Sequence, residues 1–229
     1  MMSFASALGL SILVCQRLQC KTFRMDDQQS LSHLVLTITP EKLPLFTTVL
    51  QSGIEIMTPA GTSLGQFLSA LPGFTAEYLA DAVQTIFHNG TAIDDLTTLF
   101  YGEKPVLALS AAMPGLAGAI FRRHSFHAAL RSEIKAKPAG SLSEKPLTVT
   151  LKLFNTIALE RGKELLALGV RLPAAVLSSF LRIRPGLLPA IVRIKLDEEV
   201  IDMPTLLSAL AEATKIDLKI QDESAITNG

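Results

Sequence analysis

Few side chains in this sequence have the type and spacing that catalysis needs. The histidines are His33, His88, His124 and His127. His124 and His127 stand three positions apart, so a helix there would carry both on one face. A closed zinc site is tetrahedral, this pair falls short of it, and Glu133 lies about two helical turns away. His88, just before Asn89-Gly90, reads as a turn residue. Asp94-Asp95 falls on a returning strand, where neighbours point to opposite faces and cannot act as an acid–base pair. Asp26-Asp27 and Glu198-Glu199 read as solvated ends and hairpin tips. Cys15 and Cys20 are the only cysteines and have no histidine near them, so they read as incidental thiols. G-x-S-x-G occurs once, at Gly61-Thr-Ser-Leu-Gly65, where Ser63 reads as a helix cap, and the sequence has no phosphate-binding G-x-x-x-x-G-K-S/T. Gly115-Leu-Ala-Gly118 is a bare G-x-x-G, an anion nest at most and a plain loop otherwise. These patterns predict no catalysis, no metal and no cofactor.

The whole-chain numbers narrow the partners. The chain is 48% apolar and 18% charged, with a mean hydropathy of +0.38. That composition folds, and it favours apolar surface, and so self-association into a homo-oligomer or membrane contact. Basic and acidic residues balance at 21 each, so there is no electrostatic footprint for nucleic acid. The apolar runs Phe4–Cys15 and Pro105–Phe121 are shorter than the roughly 20 residues of a spanning helix, so no integral span is expected. Residues 1–24 read as an over-extended start or a loose tail ahead of Met25, with a weak membrane tether as the alternative.

The elements that would position any site come in two similar sets. FLSALPG (Phe67–Gly73) and FLRIRPG (Phe180–Gly186) share F-L-x-x-x-P-G. In the first set, His33–Thr39 and Gly53–Met57 read as strands. A helix over Leu64–Leu71, capped by Thr62 or Ser63, stops at Pro72-Gly73. Val83–Phe87 and Thr91–Ile93 form a hairpin around Asn89-Gly90, and Val106–Leu109 closes the set. In the second, Thr148–Phe154 and Gly169–Leu172 are strands and Ala174–Ile183 is a helix ended by Pro185-Gly186. Ile191–Leu196 and Val200-Ile201 flank a turn. A helix over Pro204–Ala213 precedes the last strand, Ile216–Ile220. Repeated order on top of a repeated motif points to duplication.

The second set resembles the small ubiquitin-like sulfur carriers of molybdopterin and thiamine biosynthesis, in Val149–Phe154, Gly169–Pro173 and Val176–Leu181. The first set resembles them in Pro59–Leu68, Phe87–Ile93 and Gly102–Leu109. The resemblance implies an α+β protein of two tandem β-grasp (ubiquitin-like) domains, each a mixed sheet curled around one helix. Its divisions are a tail at 1–32, a first domain at 33–121, a partly helical linker at 122–146, a second domain at 147–221 and a tail at 222–229. Those carriers work through a terminal Gly-Gly, and this chain ends Thr227-Asn-Gly229.

The expected function is therefore a non-catalytic binding or scaffold protein of a bacterial cytoplasm, with a protein partner or a second copy. One alternative is a sulfur carrier made active by cleavage near Gly118. Another is an accessory subunit of a neighbouring enzyme. The resemblance puts the interaction surface where the carriers extend their tail, at Pro114, Gly115, Leu116, Gly118, Phe121, Arg122 and Arg123. Pro and Gly are expected to keep that segment irregular, with Leu116, Ile120 and Phe121 as apolar anchors beside the arginines.

Overall fold

The computed structural model describes residues 32–127, 131 and 145–223. Strand β1 (Ser32–Ile38) shows the alternation its sequence predicts, with Leu34, Leu36 and Ile38 all 0% exposed. A 3-10 turn, the short helix α1 (Leu43–Phe46) and a second 3-10 turn lead to β2 (Ile54–Thr58). Helix α2 (Leu64–Ser69) opens on a full capping box. Ser63 Oγ accepts from Gln66 N, and Gln66 Oε1 accepts from Ser63 N. Next come α3 (Ala76–Asp81), capped by Thr75, then β3 (Thr85–His88), β4 (Thr91–Ala92) and β5 (Val106–Ser110).

Helix α4 (Gly115–Phe121) ends the first set, and β6 (Leu147–Leu153) begins the second. Then come α5 (Asn155–Leu168), β7 (Val170–Pro173), α6 (Ala174–Ile183), β8 (Ile191–Leu196), β9 (Glu199–Ile201), α7 (Met203–Glu212) and β10 (Lys215–Asp222). Asp202 caps α7 by accepting from Thr205 N at 2.9 Å. Gly53 (φ 109°) and Gly169 (φ 101°) each open a second strand in a backbone state that favours glycine. Both hairpins turn through two residues at positive φ, Asn89-Gly90 in one and Asp197-Glu198 in the other. Phe67 lies in α2 and Phe180 in α6, each in the helix that follows a second strand.

The protein is mixed α/β, and its strands form one ten-stranded sheet in the order β4-β3-β5-β6-β2-β7-β10-β1-β8-β9. Separate sheets were expected, one per half. Instead each half's first strand lies in the other half's arm, at places that are not equivalent. β1 lies between β10 (parallel) and β8 (antiparallel), while β6 lies between β5 (parallel) and β2 (antiparallel). The two five-stranded arms meet through the single pair Glu55↔Arg171. Helices α5, α6 and α7 contact strands of the sheet, and one hydrophobic cluster runs from Leu34 to Ile220. The ring of Phe46, ahead of β2, packs on that of Phe180, 6.0 Å between centroids.

Three local expectations change. Residues 115–121 are helical despite Pro114, Gly115 and Gly118, because Pro stands at the N-cap, where the helix needs no N–H from it. The helix ends at Phe121 and His124 has φ 55°, so His124 and His127 do not share a helical face. Helix α5 was not foreseen at all. It opens on Asn155 at φ 53° with no side-chain cap, and its buried residues include Gly162.

Candidate functional site

The segment after β5 builds the surface on which the sequence places the interaction. Helix α4 starts just past Pro114 and lies so close to the preceding residues that a Cβ on Gly118 would lie 1.8 Å from the Met113 carbonyl oxygen. Only glycine fits there. Phe121 turns inward and packs on Phe87, 5.3 Å between ring centroids. Arg123 also turns inward. Its Nη1 donates to the carbonyls of Leu79 (2.9 Å) and Val83 (3.3 Å), and its backbone N–H donates to Gln84 O. These bonds satisfy carbonyls at and just past the C-terminal end of α3. Burial lowers the pKa of its guanidinium, and the charge of Asp94 opposes that shift.

Arg131 completes the dock. Its Nη1 donates to Asp94 Oδ2 at 2.7 Å and its Nε to Ile120 O at 2.8 Å. Asp94 is thus an ion-pair partner rather than plain solvated surface, and it lies past the end of β4 rather than on a strand. Asp95 closes its own turn by accepting from Thr97 N and Oγ1. Of the expected surface, Pro114, Gly115, Leu116 and Arg122 are exposed together, Leu116 at 69%. Gly118 is buried, while Phe121 and Arg123 are half-buried and serve the packing. Phe126, at 94% exposure, adds an aromatic ring the sequence reading did not assign to the surface.

Two further clusters carry polar chemistry. His88 ends β3 and is fully buried, which corrects its reading as a turn residue. Neither ring nitrogen has a hydrogen-bond partner. Tyr101 lies 4.1 Å and Phe100 5.4 Å from its ring centroid, and desolvation lowers its pKa to about 4. A neutral imidazole with no carboxylate or hydroxyl bonded to it has no proton relay.

The second cluster joins the halves. Tyr78 Oη donates to Glu160 Oε2 at 2.7 Å, and the Arg161 guanidinium lies 3.9 Å above the Tyr78 ring. Burial first, then the bond to Glu160, raise the phenol's pKa. The partners are 82 positions apart, and no local pattern announces them. No group of His, Cys, Asp and Glu able to hold a metal occurs among the described residues. Cys15, Cys20, Asp26 and Asp27 lie outside those residues.

What the fold defines at this point is a mixed α/β protein with a ten-stranded sheet. Among protein-family models, curated proteins and solved structures, none matches the chain.

Proposed function

We propose that this chain is a non-catalytic, ubiquitin-like binding or scaffold protein, built from two tandem β-grasp-like halves and acting in a bacterial cytoplasm. The observation that carries this reading is the repeated arrangement. Each arm has a first strand parallel to a last strand, flanked by a second strand on one side and a hairpin on the other. The first strand adjoins the second strand in one arm (β6 with β2) and the hairpin in the other (β1 with β8). Each half supplies the other's first strand, which makes the halves interdependent. No helix among the described residues is long and apolar enough to cross a membrane.

The interaction surface is the exposed part of the α4 region, Pro114 to Leu116 with Arg122, and its partner is a protein or a second copy of the chain. Leu116 supplies apolar contact area and Arg122 a charged rim, a mixture usual at interfaces. The burial of Gly118 within α4 weighs against cleavage there and so against the sulfur-carrier reading. The test is sedimentation of the full chain beside a Leu116→Asp, Arg122→Glu double variant. Both positions are exposed, so the melting temperature should hold while concentration-dependent self-association disappears. Unchanged association, or a chain that stays monomeric throughout, counts against a second copy as the partner at this surface.

A further inference from the structure

The far end of the second arm is an open edge beside a groove with both apolar and charged walls. β9 pairs with β8 through Ile194↔Ile201, Lys195↔Val200 and Leu196↔Glu199, and it is last in the strand order. Its outer backbone therefore has no strand beside it among the described residues. Next to it runs a groove of about 340 Å³ with walls of Leu188, Ile191, Val192, Val200 and Met203. Val192 is 53% and Val200 66% exposed. Exposed aliphatic side chains next to unpaired backbone are what an incoming strand requires.

Charge selects the occupant. Asp197, Glu198, Glu199 and Asp202 crowd this end of the arm. Of the cations close by, Lys195 is engaged with Glu198 at 3.5 Å, and Arg193 lines the groove. Four carboxylates against these two leave the end acidic. A second copy is a poor fit. Antiparallel pairing of β9 with itself about Val200 sets Glu198 opposite the other copy's Asp202, and facing like charges destabilise a strand pair. A segment alternating Lys or Arg with apolar residues meets both features, its cations on the carboxylates and its apolar side chains in the groove.

We propose that this groove and edge dock a basic, extended segment of a protein partner, which adds beside β9 as a further strand. The site belongs to the second arm and stands whether or not the α4 region binds anything.

The test uses the full chain and a fluorescein-labelled peptide, KVKVKVK, in polarisation and hydrogen-exchange measurements. The peptide should bind, bind more weakly as salt rises, and slow amide exchange at Glu199–Ile201. A Glu198→Lys, Glu199→Lys variant, altered only at exposed positions, should weaken it by about tenfold or more. A peptide N-methylated at alternate residues should also bind poorly, and this arm leaves the protein untouched. The proposal is overturned if KVKVKVK does not bind, or if EVEVEVE or the N-methylated peptide binds as well as it does. It is also overturned if the edge is protected by a dimer of the chain itself.

Discussion

A histidine sealed among aromatic rings makes stability depend on pH in a fixed direction. His88 is neutral in the folded chain, with its pKa lowered to about 4 by desolvation, against about 6.5 when unfolded. Above the unfolded value neither state holds the proton, so no stability is lost. As pH falls from there towards the folded value, only the unfolded chain takes the proton up, and stability declines. Between pH 7 and pH 5 the loss from this one group is about 2 kcal/mol. Urea unfolding at both pH values measures it, and His88→Leu, which also removes the unpartnered ring nitrogens, should flatten the slope by that amount. An equal slope in the variant would show that His88 is protonated in the folded chain or accessible to water. Sequence alone placed this residue in a turn, because Asn-Gly marks the hairpin clearly while burial of its neighbour depends on Phe100 and Tyr101, which close over it from the chain beyond β4.

The hairpins show how far an element can be read from its own residues. Asn89-Gly90 is the expected residue pair for a turn with positive φ at both positions, and the hairpin was legible. Asp197-Glu198 makes the same turn, with Glu198 at φ 74°, where a glutamate is strained. Asp197 is held there by accepting from His33 N at 2.8 Å, a contact with a strand from the other half. Glu198→Gly should therefore stabilise the chain by about 0.5–1 kcal/mol, seen as a rise in thermal midpoint. A fall would mean that the ion pair with Lys195 outweighs the backbone strain.

Helix α6 and the capped α2 were equally legible, through apolar spacing, a capping serine and a Pro-Gly stop. Helix α5 was not. It lacks a side-chain cap, and its Gly162 is there for close packing, since a Cβ would lie 2.8 Å from Thr47 Cβ. The signal for that contact lies more than a hundred positions away in the chain.

At the scale of the whole molecule, each half's first strand lies in the other half's arm, β6 beside the second strand β2 and β1 beside the hairpin strand β8. HLVLTI and LTVTLKL both alternate, so each reads as a strand, but alternation says nothing about which neighbours a strand takes. The candidate surface was half legible for the same reason. Arg122 is exposed as its type suggests and Leu116 is exposed against its type, while Phe121 and Arg123 are claimed by partners distant in sequence. Contacts between the halves reinforce the exchange. Lys215 bonds Glu55 at 2.8 Å across the seam of the sheet, Phe46 meets Phe180, and Tyr78 meets Glu160 and Arg161.

The exchange is tested most directly by trapping β1 where it lies. Val35 stands opposite Lys219 in the parallel β1–β10 pair. Neighbouring strands bring such residues within the Cα separation a disulfide spans, about 4.4–6.8 Å. In a chain with Cys15 and Cys20 replaced by serine, Val35→Cys with Lys219→Cys should oxidise to a cross-link found by peptide mass mapping. Val106 faces Thr150 of β6, the place β1 would hold if each half kept its own first strand. Val35→Cys with Val106→Cys should therefore stay reduced under the same conditions. A cross-link from Val35 to position 106, with none to position 219, would contradict the exchange and return β1 to its own half.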